Sequence, residues 1–185
     1  MRVKIESIAD IQSGLYLKTE PDGDVIYLQI KDFDSNGRLI FNPEPLVKDN
    51  GKLSNHLLFE GDLLFAAKGT SNFCTVYKKD MGKAVATSSF FVLRIIETHI
   101  RPDFLCWLLN TTYILTILKG CAVGSSIPSI TKSMIGNIEF EIPSIEKQRL
   151  IVETCKLQSR EEELYKSISS QKKALTDKIL FETIK

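Results

Sequence analysis

The sequence predicts an α+β domain, built on a mixed, mostly antiparallel sheet with short helices and followed by one long C-terminal coiled-coil helix. Three observations predict it. Runs rich in β-branched and aromatic residues recur between positions 25 and 96, bounded by Gly, Pro, Asp and Asn, as strands are. A single proline-led apolar helix pattern begins at Pro102. Residues 144–184 then contain neither Pro nor Gly and carry Leu150, Leu157, Leu164, Ile168, Leu175 and Ile179 at spacings of seven and four. That is a coiled-coil seam.

The elements follow in order. Residues 25–30 read as a strand, Asp34-Ser35-Asn36-Gly37 as a turn, and 38–41 as extended chain broken by Pro43 and Pro45. Gly61-Asp62 turns into a buried strand at 63–67, stopped by Lys68-Gly69. Residues 74–77 and 83–86 look like two hairpin arms joined through 78–82, and 90–96 is the strongest strand signal. Pro102 suits a first helical turn, and Phe104, Leu105, Leu108, Leu109, Leu115 and Leu118 give one apolar face up to Gly120. A small-residue loop spans 122–130, and 137–142 alternates polar and apolar as a half-exposed strand. Pro143 marks a boundary between a domain at 1–143 and a helix at 144–185. Ser144 is the candidate N-cap, with Glu146 in the first turn, where negative charge is favoured. At about 1.5 Å per residue, such a helix extends on the order of 60 Å, enough to hold a second body at a fixed distance.

Composition narrows the class. A charged fraction of 25% with 43% apolar residues is that of a folded domain. The N-terminus lacks a signal-peptide core, and 104–118 is too short and too interrupted by Asn110, Thr111 and Thr112 to span a bilayer. A cytoplasmic protein without membrane partners is expected. Cys74, Cys106, Cys121 and Cys155 are scattered with no CxxC pair. They read as small hydrophobes, Cys74 on a strand and Cys106 on a helix, rather than as metal ligands or disulfides.

A net charge of +1 does not announce a polyanion partner, but its distribution does. Between positions 68 and 94, Lys68, Lys78, Lys79, Lys83 and Arg94 oppose Asp80 alone, a local +4. Thr70, Ser71, Asn72, Thr75 and residues 87–89 lie among them, side chains that contact phosphates and base edges. The candidate DNA-binding residues are the strand-anchored loop Lys68, Gly69, Thr70, Ser71 and Asn72, the turn residues Lys78 and Lys79, and Ser125 and Ser126 beside Gly124. A solvated basic hairpin and a plain connecting loop are the bland readings of the same residues.

The ordered set of motifs resembles one half of a type I restriction-modification specificity subunit. It comprises 8–14 (Ile-Ala-Asp-Ile-Gln-Ser-Gly), 58–69 with its Gly61-Asp62 pair, 88–94, the proline-led 102–109, 127–130, and 138–143 leading to 146–151. Ser144 stands where the family usually has a second proline, and Glu146 with Gln148 replaces an adjacent Glu-Gln pair. The resemblance runs end to end, so a half-subunit with one target recognition domain and one helix is expected. It implies sequence-specific recognition of double-stranded DNA without catalysis, cofactor or metal of its own. It also implies partner methyltransferase and restriction subunits that use S-adenosylmethionine and ATP. Intact family members pack two such helices antiparallel, so the seam is expected to make a homodimer.

Two other classes fit parts of the sequence. A coiled-coil adaptor without DNA contact explains the helix equally well. An enzyme is the other: Asn42-Pro43-Glu44-Pro45 is faintly like an amino-methyltransferase motif but lacks its aromatic residue. Pro21-Asp22 with Gln29-Ile30-Lys31 is faintly like a metal-dependent nuclease but has Gln in place of the second acid. No GxSxG, HExxH or P-loop pattern occurs, and His56 and His99 have no acidic or cysteine partner in a ligand pattern.

Overall fold

The computed structural model describes residues 2–69, 71–121 and 129–184. It divides into two compact units, Met1–Ile145 and Glu146–Lys185. Thr70, Ser125 and Ser126 of the expected DNA-binding set lie outside the described residues.

The first unit is α+β and mostly antiparallel, but its described strands form three small sheets rather than one. The central sheet has the order β2-β8-β5-β6, all antiparallel. Its strands are β2 (Ala9–Ser13), β5 (Leu63–Ala66), β6 (Cys74–Val76) and β8 (Phe90–Ile95). The second sheet joins β3 (Val25–Leu28), β4 (Pro45–Val47) and β7 (Ala84–Ala86) in the order β4-β3-β7. The third pairs β1 (Arg2–Lys4) with β9 (Glu139–Glu141), Val3 opposite Phe140.

The expected hairpin between 74–77 and 83–86 does not form. β6 pairs with β5, whereas β7 crosses to lie parallel to β3, Ile26 opposite Ala84 and Leu28 opposite Ala86. A parallel pair needs a long crossover, and the chain from β3 to β7 supplies it. The reason for the split is burial. β3 is apolar on both faces: Ile26 and Leu28 enter a cluster with Leu64, Ala84, Ala86 and the rings of Phe33, Phe73 and Phe90. Val25 and Tyr27 enter a second cluster with Val47, Leu53 and Val85. The three phenylalanine rings meet with centroids 5.7 to 6.0 Å apart, tilted or edge-on, the favoured arrangement.

The helical pattern after Pro102 gives two helices, not one: α1 (Pro102–Asn110) and α2 (Thr112–Cys121), bent by 62°. Thr111 has extended backbone, and its hydroxyl accepts a 3.4 Å bond from Ile114 N–H. Thr and Asn favour caps over helix interiors because their side chains compete for backbone groups. A short α3 (Lys132–Gly136) is capped by Thr131, whose hydroxyl accepts from Met134 N–H. No single described helix is long and apolar enough to cross a membrane.

The second unit is one helix. α4 runs from Ile145 to Thr183, 39 residues, about 58 Å at the standard rise. Arg149 pairs with Glu153 and Arg160 with Glu163 on its surface. The ladder from Leu150 to Ile179 is open to solvent, each of the six residues 48–72% exposed.

Candidate nucleic-acid interface

The described residues on either side of position 70 are anchored to the core. Leu63, Leu64, Phe65 and Ala66 are fully buried, so the strand cannot move without disturbing the core. Ala67 N–H donates to Ser89 O at 3.0 Å, and Ala67 O accepts from Ile130 N–H at 3.0 Å. Lys68 bridges Ser129. Gly69 then takes φ +97°, a conformation that favours glycine. Asn72 closes the loop by donating its amide to Ala66 O at 2.9 Å. Lys68, Gly69 and Ser71 are exposed. The base of β6 is clamped from α1, where Asn110 bonds both Cys74 N–H and Cys74 O at 2.8 and 2.7 Å.

Two further segments reach the same rim. The β7–β8 turn, residues 87–89, is fixed by Ser88 N–H to Leu15 O at 2.7 Å, with Leu15 N–H to Ala86 O at 2.9 Å. This approach demands Gly14: a Cβ there would stand 2.1 Å from Thr87 O. The loop at Lys68, the turn at Ser88 and the strand exit at Gly14 therefore form one edge. Beside it opens a cleft of about 460 Å³ whose wall includes Tyr16, Lys31 and Ser88.

Lys78 and Lys79 do not join this edge. They lie past the far end of β6, where Tyr77 N–H bonds Asp62 O and Gly61 N–H bonds Tyr77 O. That is roughly 20 Å of strand away at the usual rise. Both are exposed on a short 3-10 turn, Lys79–Met81.

The electrostatics revise the local +4. Arg94 is committed to Asp62, and Lys83 to Asp49 at 2.9 Å and Asp24 at 3.8 Å. The hydrogen bond to Asp62 holds the Arg94 guanidinium above its usual value, and the bond to Asp49 does the same for the Lys83 ammonium. The Lys83 ammonium in turn holds the Asp49 carboxyl below the usual range. Lys68, Lys78 and Lys79 are the cations of this stretch left without an ion pair among the described residues. Cys74 is no activated nucleophile: burial first, and the neighbouring Cys106 thiol second, push its thiol well up, the reverse of what reactivity needs. Among the described residues no cluster of His, Cys, Asp or Glu is arranged to hold a metal. Tyr16 and Lys31, which line this cleft, are not among the residues expected from the sequence. The one available signal was Tyr16 between two leucines, an outward position in an alternating stretch.

The profile of the type I restriction modification DNA specificity domain matches residues 1–171. The chain belongs to that family. Solved structures agree in fold. One, from work on complex assembly and conformational transition of the type I R-M system, superposes with a TM-score of 0.69 at 18% identity, covering 94% of this chain and 42% of that one. The HsdS subunit from Thermoanaerobacter tengcongensis gives 0.66 at 23% identity, covering 90% and 44%. The type I restriction-modification S subunit from M. genitalium gives 0.56 at 16% identity, covering 86% and 39%. This specificity-domain chain thus spans about two fifths of the length of each. No curated protein matches it in sequence.

Proposed function

We propose that the chain is the DNA-reading component of a type I restriction-modification system. It would direct methyltransferase and restriction subunits to their target in the cytoplasm and catalyse nothing itself. The carrying observation is the family match over residues 1–171, which embraces both the globular unit and most of α4. Selection of bound sites from a random duplex library tests it. A recurring motif is expected, with affinity falling as salt rises; no complex at any salt favours an adaptor instead.

The exposed ladder on α4 supports a homodimer. A lone helix in water leaves those six apolar side chains unburied, and a second copy covers them. Leu157, Leu164, Ile168 and Leu175 are placed symmetrically about Lys166. Antiparallel pairing on that centre sets Leu157 against the partner subunit's Leu175, and Leu164 against the partner subunit's Ile168. From Leu157 onward the alternating sevens and fours sum to an eleven-residue spacing: Leu157, Ile168 and Ile179 form one series, Leu164 and Leu175 the other. At about 3.67 residues per turn this favours a nearly straight pair with a slight right-handed coil. Two-fold symmetry then gives two recognition units reading the same short sequence in inverted repeat, with an unread spacer between them.

A further inference from the structure

We infer that the cleft beside the β7–β8 turn is where the chain reads base edges, with Tyr16, Lys31 and Ser88 as specificity-determining residues. The inference rests on the DNA-reading function proposed above and assigns it a place.

Tyr16 is held out by its neighbours. Leu15 and Leu17 pack inward against the cluster of Val25, Tyr27 and Val85. The Tyr27 hydroxyl donates to Leu15 O at 2.7 Å and accepts from Leu17 N–H at 2.9 Å. The backbone on both sides of Tyr16 is thus pinned, and alternation turns its ring to solvent, 92% exposed. No described large apolar side chain is more exposed. The ring adds nothing to the core, yet its backbone is fixed from below by a buried tyrosine. A rigid aromatic with a polar tip suits a binding surface, because little entropy remains to be lost on contact.

The other walls complete a recognition set. Among the described residues Lys31 is the one charged residue lining the cleft. The carboxylate of its neighbour Asp32 is buried and occupied by Gln29 N–H at 2.7 Å. Among the described residues no carboxylate lines the cleft. Ser88 is fixed through its backbone while its hydroxyl makes no bond among the described residues. Hydroxyls both donate and accept, as base edges require, and lysine pairs with guanine acceptors. One cation among hydroxyls, an amide and a ring offers the donors and acceptors that base edges require. Residues 16, 31 and 88 come from three separate segments, so only the fold assembles them. The cleft is continuous with the Lys68 loop through the Ala67–Ser89 bond.

The test uses the full 185-residue chain and its Tyr16→Ala, Tyr16→Phe, Lys31→Gln and Ser88→Ala variants. Each is put through duplex selection and titrated on the unmodified chain's motif and on random duplex. Tyr16→Ala and Ser88→Ala should lose about tenfold or more on the motif, or relax one position of it, with random-duplex affinity within about twofold. Tyr16→Phe separates ring contact from the hydroxyl, and melting temperatures should stay at the unmodified value, since the three side chains support nothing in the core. If every variant selects the same motif with unaltered affinity, the cleft is not the reading site, although DNA recognition stands. If the unmodified chain selects no motif, both proposals fall.

Discussion

Arg94 grips Asp62 with two parallel hydrogen bonds, Nε to Oδ1 at 2.9 Å and Nη2 to Oδ2 at 2.6 Å. Its Nη2 also reaches Leu57 O at 3.1 Å, its guanidinium lies 4.4 Å from the Phe59 ring centroid, and Phe59 N–H donates to Asp62 Oδ2 at 2.8 Å. Asp62 is 3% exposed in its side chain. The Gly61-Asp62 pair is therefore a structural lock between the 57–62 turn and β8, and the Arg94 charge is paired within the fold. Removing one partner of a buried pair leaves the other uncompensated. Asp62→Ala should cost about 3 kcal/mol, less than a fully buried pair because Arg94 retains solvent contact. Chemical denaturation measures it, and a loss below about 1 kcal/mol contradicts the lock.

Asn72→Ala should act on stability before sequence preference. Its amide is spent on Ala66 O, so the substitution should cost about 1 kcal/mol. The exposed Ser71 is the better probe of readout in that loop. An altered motif with unchanged stability for Asn72→Ala would show that the side chain leaves Ala66 to meet DNA.

Changing Lys78 and Lys79 together to Ala should weaken binding to every sequence alike. Both are exposed cations without an ion pair among the described residues. The log–log salt slope should become shallower by roughly one to two units. An unchanged slope puts this turn away from the phosphate backbone.

Leu164→Glu with Ile168→Glu should give monomers that bind a half-site weakly. Both residues are 48% exposed at the centre of the ladder, where like charges would face each other in an antiparallel pair. Light scattering decides: the unmodified chain should be dimeric, and a monomer mass throughout the micromolar range overturns the pairing.

The Asp49–Lys83 pair predicts an acid dependence. The bond from Lys83 lowers the folded-state value of Asp49 below its ordinary 3.8. The stabilisation is complete above the ordinary carboxylate range and is lost as pH falls toward the lowered folded value, where the unfolded chain binds protons first. Lys83, raised above 10.5, would lose its share only in strong alkali. The melting temperature of the unmodified protein should therefore drop on acidification more steeply than that of Asp49→Asn. Parallel curves would remove the pair from the acid response.

Local pattern determined much of this protein. Alternation and residue type marked β3, β5 and β8, proline marked the start of α1, and the absence of Pro and Gly with a seven-and-four ladder marked α4 and its exposed seam. These are properties of short windows, because the period of apolar residues fixes which face can be buried. The tertiary structure decided pairing and partnership. β6 and β7 went to different sheets because β3 needed cover on both faces, which no window around 74–86 records. Charge pairing is equally non-local: Arg94 and Lys83 find Asp62 and Asp49 across 32 and 34 residues, so a cation count along the chain overstates what a ligand meets. The cleft of Tyr16, Lys31 and Ser88 exists only once Leu15 is tied to Ala86 and Ser88 and Tyr27 pins it from below. Contacts so distant in sequence are set by burial and hydrogen-bond satisfaction over the whole unit.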